Sequence, residues 1–205
     1  DLDYKTSSAL VLNGSTIKDA SGNNATLTLP EPGATNSLGA NKAIEVDGIV
    51  PTVSIVTSTL ADGHYTVGQV IPVSVLFREA VTVTGTPQIT LETGSSDAVV
   101  DYSSGSGTPT IIFNYTVASG HTSSDLDYVA TSSLALNSGT IKDGAGNNAI
   151  LTLAAPGETN SLAASADIVL DGTIPYLTSV NSGLSDGHYN EGYVIPIQVN
   201  FSEHM

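Results

Sequence analysis

The chain has 205 residues, 20 of them acidic against 5 basic, for a formal charge of −15. That imbalance excludes nucleic acid and an anionic membrane surface as main partners, because both would repel it. There is no cysteine, which excludes a disulfide framework and thiolate chemistry; no apolar run approaches the roughly 20 residues needed to cross a bilayer, so no membrane insertion is expected.

From the start of the chain, Asp1-Leu2-Asp3-Tyr4 and the stretch from Thr16 to Leu29 are the first landmarks, and both return later, at Asp125 to Tyr128 and Thr140 to Leu153. A slide of the sequence on itself by 124 positions pairs 1–79 with 125–203, and a little over half of the pairs are identical. A period of that length is the size of a whole small domain, so each repeat can own a core. Residues 1–46 therefore read as the C-terminal part of one repeat, 47–171 as a complete repeat, and 172–203 as the N-terminal part of the next. Neither end supplies a counterpart of 80–124. The expectation is an excerpt of a longer tandem array, with His204-Met205, where the repeat calls for Ala80-Val81, read as a vector-derived addition.

In the complete repeat, strands are expected near 52–58, 69–77, 87–92, 97–103, 109–117, 131–136, 139–142, 149–153 and 167–170. Val73, Val75 and Phe77 alternate with Ser74, Leu76 and Arg78, and Ile111, Phe113, Tyr115 and Val117 form a second alternating set, so each strand buries one face. Many short strands punctuated by Gly, Asn, Asp and Pro, without helical periodicity, point to an all-β fold and to an immunoglobulin-like β-sandwich in tandem. The boundaries are marked by Val46-Asp47-Gly48-Ile49-Val50-Pro51 and its copy Leu170-Asp171-Gly172-Thr173-Ile174-Pro175. Proline restricts itself and the residue before it, so such a connection is stiff and successive modules are expected to stand end to end.

The Asp-Gly-x-x-Pro opening, the run from Ile71 to Glu79, the stretch Gly85 to Gly94 and the Asp-x-x-Gly-Asn-Asn segment together resemble the bacterial Ig-like and cadherin-like repeats of giant secreted surface proteins. The nearest likeness is to the repeats of cyanobacterial swimming-motility and giant adhesin proteins. The resemblance covers the complete repeat and both end segments. It implies a cadherin-like sandwich, export to the bacterial cell surface, and calcium held at module junctions.

Carboxylates can also be weighed on their own chemistry. A strongly acidic chain repels itself when compact, and bound divalent cations are one remedy; surface acidity of the halophilic kind is the other. Ca²⁺ takes six to eight oxygens from carboxylates, amide and backbone carbonyls and water, and Asp and Asn clustered in turns supply several. In a sandwich, Asp62, Asp125, Asp127 and Asp171 are expected to converge on one end, and the preceding junction draws Asp1, Asp3 and Asp47 by the same logic. The turns Asp19 to Asn23 and Asp143 to Asn147 offer further ligands. Those two turns read equally as hairpin loops whose Asp and Asn bond their own backbone. Asp-Leu-Asp-Tyr also reads as the approach to a tyrosine corner, with no metal needed.

No nucleophile elbow, zinc motif, phosphate loop or EF-hand spacing is present, and His64 and His188 have no second ligand at zinc spacing. Two functions of different class stand: a calcium-stiffened spacer whose partners are the neighbouring repeats, and a module that binds a cell-surface carbohydrate or protein by avidity. With no tryptophan and 3 phenylalanines, sugar platforms are scarce, which favours the spacer. The incomplete ends are expected to fray or to associate with another chain.

Overall fold

The computed structural model describes residues 1–204; Met205, half of the suggested vector-derived dipeptide, lies outside the described residues. The chain divides into two units, 1–49 and 50–205.

The first unit carries no strand. It holds one helical turn, Leu38–Asn41, whose start is capped by Ser37: the serine hydroxyl accepts from the Ala40 N–H at 3.1 Å, satisfying one of the donors that a helix start leaves orphaned. Asp3 and Tyr4 tie the loop together, the tyrosine hydroxyl donating to the Pro30 carbonyl at 2.6 Å. The apolar side chains Leu2, Leu10, Ile17, Ile44 and Val46 are exposed.

The second unit is almost entirely β, built on the long strand that the apolar alternation around Val73 to Phe77 produces. Its strands are β1 (Val53–Ser58), β2 (Gly63–Thr66), β3 (Val70–Thr84), β4 (Gln88–Leu91), β5 (Ala98–Ser104), β6 (Thr108–Thr116), β7 (Thr122–Ser123), β8 (Leu134–Ala135), β9 (Thr140–Lys142), β10 (Ile168–Asp171), β11 (Leu177–Asn181) and β12 (Gln198–Phe201). The main sheet runs β1-β3-β6-β5-β4-β8. Val75 sits opposite Val56 on one side and Ile111 on the other, and Val73 faces Phe113, so three apolar sets stack on one face.

That sheet curls because β5 changes partner along its length. Tyr102 and Ser104 pair with β6, while Ala98 to Asp101 pair with β4. A second, three-stranded sheet places β10 between β2, which is parallel to it, and β7, which is antiparallel. One buried cluster draws on both sheets and includes Ile71, Val73, Val75, Ile111, Phe113, Leu126, Leu162 and Ile168, all at 0 % exposure. Burial of that kind supplies most of the folding free energy. β11 and β12 form a separate antiparallel hairpin.

Three expectations about strands change. β3 runs on to Thr84 instead of stopping near 77, because beyond a register shift between Leu76 and Val81 it acquires a new partner, β9, with Val83 opposite Ile141. The expected strand at 149–153 does not form: Ile150 makes one isolated bridge to Thr52, although Leu153 is buried. β2 forms where Asp62 to Tyr65 reads as a turn, and β7 lies outside the expected strands.

Candidate metal-binding carboxylates

The turn after β9 is built by its own side chains. One carboxylate oxygen of Asp143 accepts from the N–H groups of Ala145 and Asn147 at 2.9 and 2.8 Å, and the other accepts from the Asn147 side-chain amide at 2.8 Å. Gly146 takes φ +96°, a left-handed conformation that suits glycine, and Lys142 and Asn148 close the loop with a bridge. Burial pushes the Asp143 carboxyl up, but bonds from the Asn147 side chain and from the backbone of Asn147, Gly146 and Ala145 outweigh it and hold the group below its usual value. Asp19 and Asn23 repeat the same bonds in the first unit, at 2.8 to 2.9 Å, and there the Asn23 side chain is the main cause of a lowered carboxyl.

Hydrogen bonds from a turn leave a carboxylate further lone pairs. Asp143 is 5 % exposed and lies at the end of β9, beside β3. Glu79 on β3 brings a carboxylate oxygen within 4.8 Å of one from Asp143. Two acidic groups so close repel unless a cation or a proton lies between them, and together they could hold a metal ion. Glu79 escaped the sequence reasoning, which sought ligands in turns and not inside a strand; its recurrence as Glu203, within Phe-x-Glu, was the available signal.

The linker carboxylates are engaged locally. Asp47 accepts from the Ile49 N–H at 2.9 Å, and Asp171 from the Thr173 N–H at 3.1 Å. In the first unit Asp1 lines an open depression of about 640 Å³ with Leu2, Ile44, Glu45, Val46 and Asp47.

A second acidic group lies around Asp125. Burial raises its carboxyl; the bond from Ile168 works against that, and the charges of Asp167, Asp127 and Asp62 add to the rise. The Asp62 carboxylate accepts from the Asp167 N–H at 3.0 Å. The charges of Asp62 and Asp127 thus reach Asp125, and so does that of Asp167, which sequence reasoning passed over. Asp171 lies three pairs further along β10, opposite Thr66 and Thr122.

Within this group Asp127 has a structural duty. Its oxygens accept from Tyr128 N–H and Gly157 N–H, both at 2.8 Å, while the buried Tyr128 hydroxyl donates to the Ala154 carbonyl at 2.7 Å. Asp3 and Tyr4 make the equivalent bonds to Gly33 and Pro30. A tyrosine corner returns its hydroxyl to the backbone a few residues upstream; here Tyr128 reaches 26 residues downstream instead, and the two bonds to Asp127 occupy one lone pair on each of its oxygens.

No family model, curated protein or solved structure matches the chain. No helix among the described residues is long and apolar enough to cross a membrane.

Proposed function

We propose that the chain is a run of spacer modules with Ig-like, cadherin-like sandwich architecture, stiffened by calcium, from a bacterial cell-surface protein. The observation that carries this reading is the approach of Glu79 and Asp143 to within 4.8 Å in a chain of net charge −15. All-oxygen ligands of this kind suit a hard cation such as Ca²⁺ better than a soft one. The curled main sheet, the second sheet and the one hydrophobic cluster that draws on both support the architecture. The two ends of the array, on this reading, meet neighbouring repeats of the same protein. No catalytic role is part of the proposal.

A binding module would need aromatic faces on offer. Within the complete repeat Tyr115 and Tyr128 are buried, and Tyr102 stands edge-on to Phe113 at 6.3 Å between ring centres, which favours the spacer; the exposed rings Tyr176, Tyr189 and Tyr193 all belong to the segment after it.

A thermal melt with and without calcium tests the reading. At a hundredfold excess over its dissociation constant, Ca²⁺ should stabilise the module by about 2.7 kcal/mol, which is about 10 °C in a domain of this size. Mg²⁺ should do far less, and Glu79→Gln should remove most of the response. Identical melts in Ca²⁺ and EDTA would sink the calcium reading. Asp47→Asn separates its two halves: a calcium response untouched by that change assigns the ion to the module alone and removes the junction from the proposal.

A further inference from the structure

The main sheet splits where β5 changes partner. The ladder between β5 and β6 ends at Tyr102 and Phe113, and from Asp101 back to Ala98 the strand pairs with β4. Across the split, Asn114, Tyr115 and Thr116 of β6 pair with Pro72, Ile71 and Val70 of β3. Two strand edges thus diverge from one point. Between them lies a depression of about 370 Å³ whose walls include Ala98, Val100, Asp101, Tyr115, Thr116 and His121.

Alternation decides where the backbone groups point. In an antiparallel ladder, successive residues of a strand turn their N–H and C=O to opposite sides. Tyr102 N–H donates to the Pro87 carbonyl, towards β4, so Val100 and Ala98 also bond to β4 and Val99 turns its N–H and C=O into the split. Val117 N–H donates to the Gln69 carbonyl, towards β3, so Tyr115 bonds to Ile71 and Thr116 turns its groups into the split from the other side. Main-chain donors and acceptors on facing edges are a template for an added strand.

The side chains provide a floor and a rim. Ala98, Val100 and Tyr115 belong to the core and are 9, 7 and 2 % exposed, whereas Val99 and Asp101 stand outside. The Tyr115 hydroxyl lies 2.8 Å from His121 Nδ1 and is engaged there, which leaves recognition to the main chain. Pairing of that kind needs no aromatic platform.

Charge selects the occupant. Between Arg78 and Lys142 the chain has no lysine or arginine, but it has Glu79, Glu92, Asp97, Asp101, Asp125 and Asp127. Asp101 lines the depression, and the exposed Asp97 immediately precedes β5. A second copy of this chain would bring the same carboxylates against them and be repelled, while a lysine-bearing segment would be attracted.

We propose that the split between β5 and β6 is a docking site for an extended, basic peptide segment of another protein, which adds as a strand between Val99 and Thr116. Because β5 and β6 are antiparallel, the added strand runs parallel to one and antiparallel to the other. Its small aliphatic side chains face Ala98, Val100 and Tyr115, and lysines on the alternate positions meet Asp97 and Asp101. The site lies within the complete repeat and requires no calcium, so it stands apart from the spacer reading.

Amide hydrogen exchange on the full chain tests this with an acetylated, amidated hexapeptide of alternating lysine and valine. In the free protein the amides of Val99 and Thr116 should exchange faster than those of Val100 and Tyr115 in the same strands. The lysine peptide should slow Val99 and Thr116 at about 1 mM or below. A glutamate–valine hexapeptide should not, nor should the lysine peptide with N-methyl groups on alternate residues, which lack the donors. Asp97→Lys combined with Asp101→Lys should weaken the lysine peptide about tenfold and admit the glutamate peptide, with the melting midpoint as the check on folding. The proposal is overturned if Val99 and Thr116 are already protected in the free protein, or if the lysine peptide leaves them unchanged. An equal response to the glutamate or N-methylated peptide, or protection of the same amides by a neutral hexasaccharide instead, overturns it too.

Discussion

Val75 and Val199 occupy the same position of the repeat, 124 residues apart, yet one is at 0 % and the other at 50 % exposure. Truncating each to alanine separates what a residue does from what its sequence context suggests. Val75 is held between Val56 and Ile111 on neighbouring strands. Val75→Ala deletes two methyl groups, worth about 1.6 kcal/mol of lost transfer at about 0.8 kcal/mol per buried carbon. The cavity left behind brings the cost to about 2.5 kcal/mol, because close-packed neighbours relax only in part. In a module of this size that lowers the melting midpoint by about 10 °C. Val199→Ala removes the same atoms from a half-exposed hairpin and should stay within about 0.5 kcal/mol. Calorimetry on dilute protein reads the midpoint, and urea unfolding checks that the slope is unchanged. The reasoning fails if the two variants shift the main transition equally, or if Val75→Ala leaves it in place.

Tyr128→Phe removes the hydroxyl that bonds the Ala154 carbonyl and should cost about 1.5 kcal/mol, since a buried acceptor is left unpaired; Tyr4→Phe, on the exposed copy of the same bond, should leave the main transition where it is. Burial raises the hydroxyls of Tyr115 and Tyr128 to about 12, helped in Tyr128 by the charge of Asp127 and opposed in Tyr115 by a backbone bond at Ala118. A raised group favours its protonated form in the fold, so its contribution is complete below pH 10 and is lost as pH climbs towards about 12; alkaline unfolding followed by tyrosinate absorbance should show this, with a smaller loss in Tyr128→Phe. Gly172→Ala should destabilise by about 2 kcal/mol or more, because a Cβ there would run into the backbone carbonyls of His121 and Ala118, whereas Gly48, with nothing within 4 Å, should accept alanine freely. Asp125, raised by burial and by its acidic neighbours, favours the fold when protonated, so its contribution is present below the ordinary carboxyl range and is lost as pH rises through its raised value. Asp125→Asn should therefore stabilise the module at pH 7 without added cation, as read by thermal melts across pH 3 to 7.

The repeat and the strand alternation were legible because they rest on internal comparison or on local chemistry; Asp-Leu-Asp-Tyr suggested a tyrosine corner, but the Tyr128 hydroxyl bonds Ala154, 26 residues downstream. The core set Val73, Val75 and Phe77 followed from a period of two. What escaped depends on distant partners. Asp62-Gly63-His64-Tyr65 reads as a turn, yet 63–66 becomes β2 because β10, a hundred positions away in sequence, lies alongside it. The end of β3 was misjudged because Arg78 and Glu79 look like a polar stop, when they lie within a register shift between Leu76 and Val81, and the strand goes on to pair with β9 from Thr82. Leu151 and Leu153 suggested a strand by alternation, but they pack against the core from a segment with a single bridge. Asp167 was missed because it stands four residues before the more conspicuous Asp171-Gly172.

The parallel pairing of β2 with β10 bears on how the module carries tension. When the two ends of the repeat are pulled apart, β2 is drawn towards its N-terminal end and β10 towards its C-terminal end. Parallel neighbours loaded in opposite senses slide lengthwise, so the backbone bonds from Gly63 to Thr66 share the force at once and do not open one after another like a zip. A short ladder placed there resists extension out of proportion to its size.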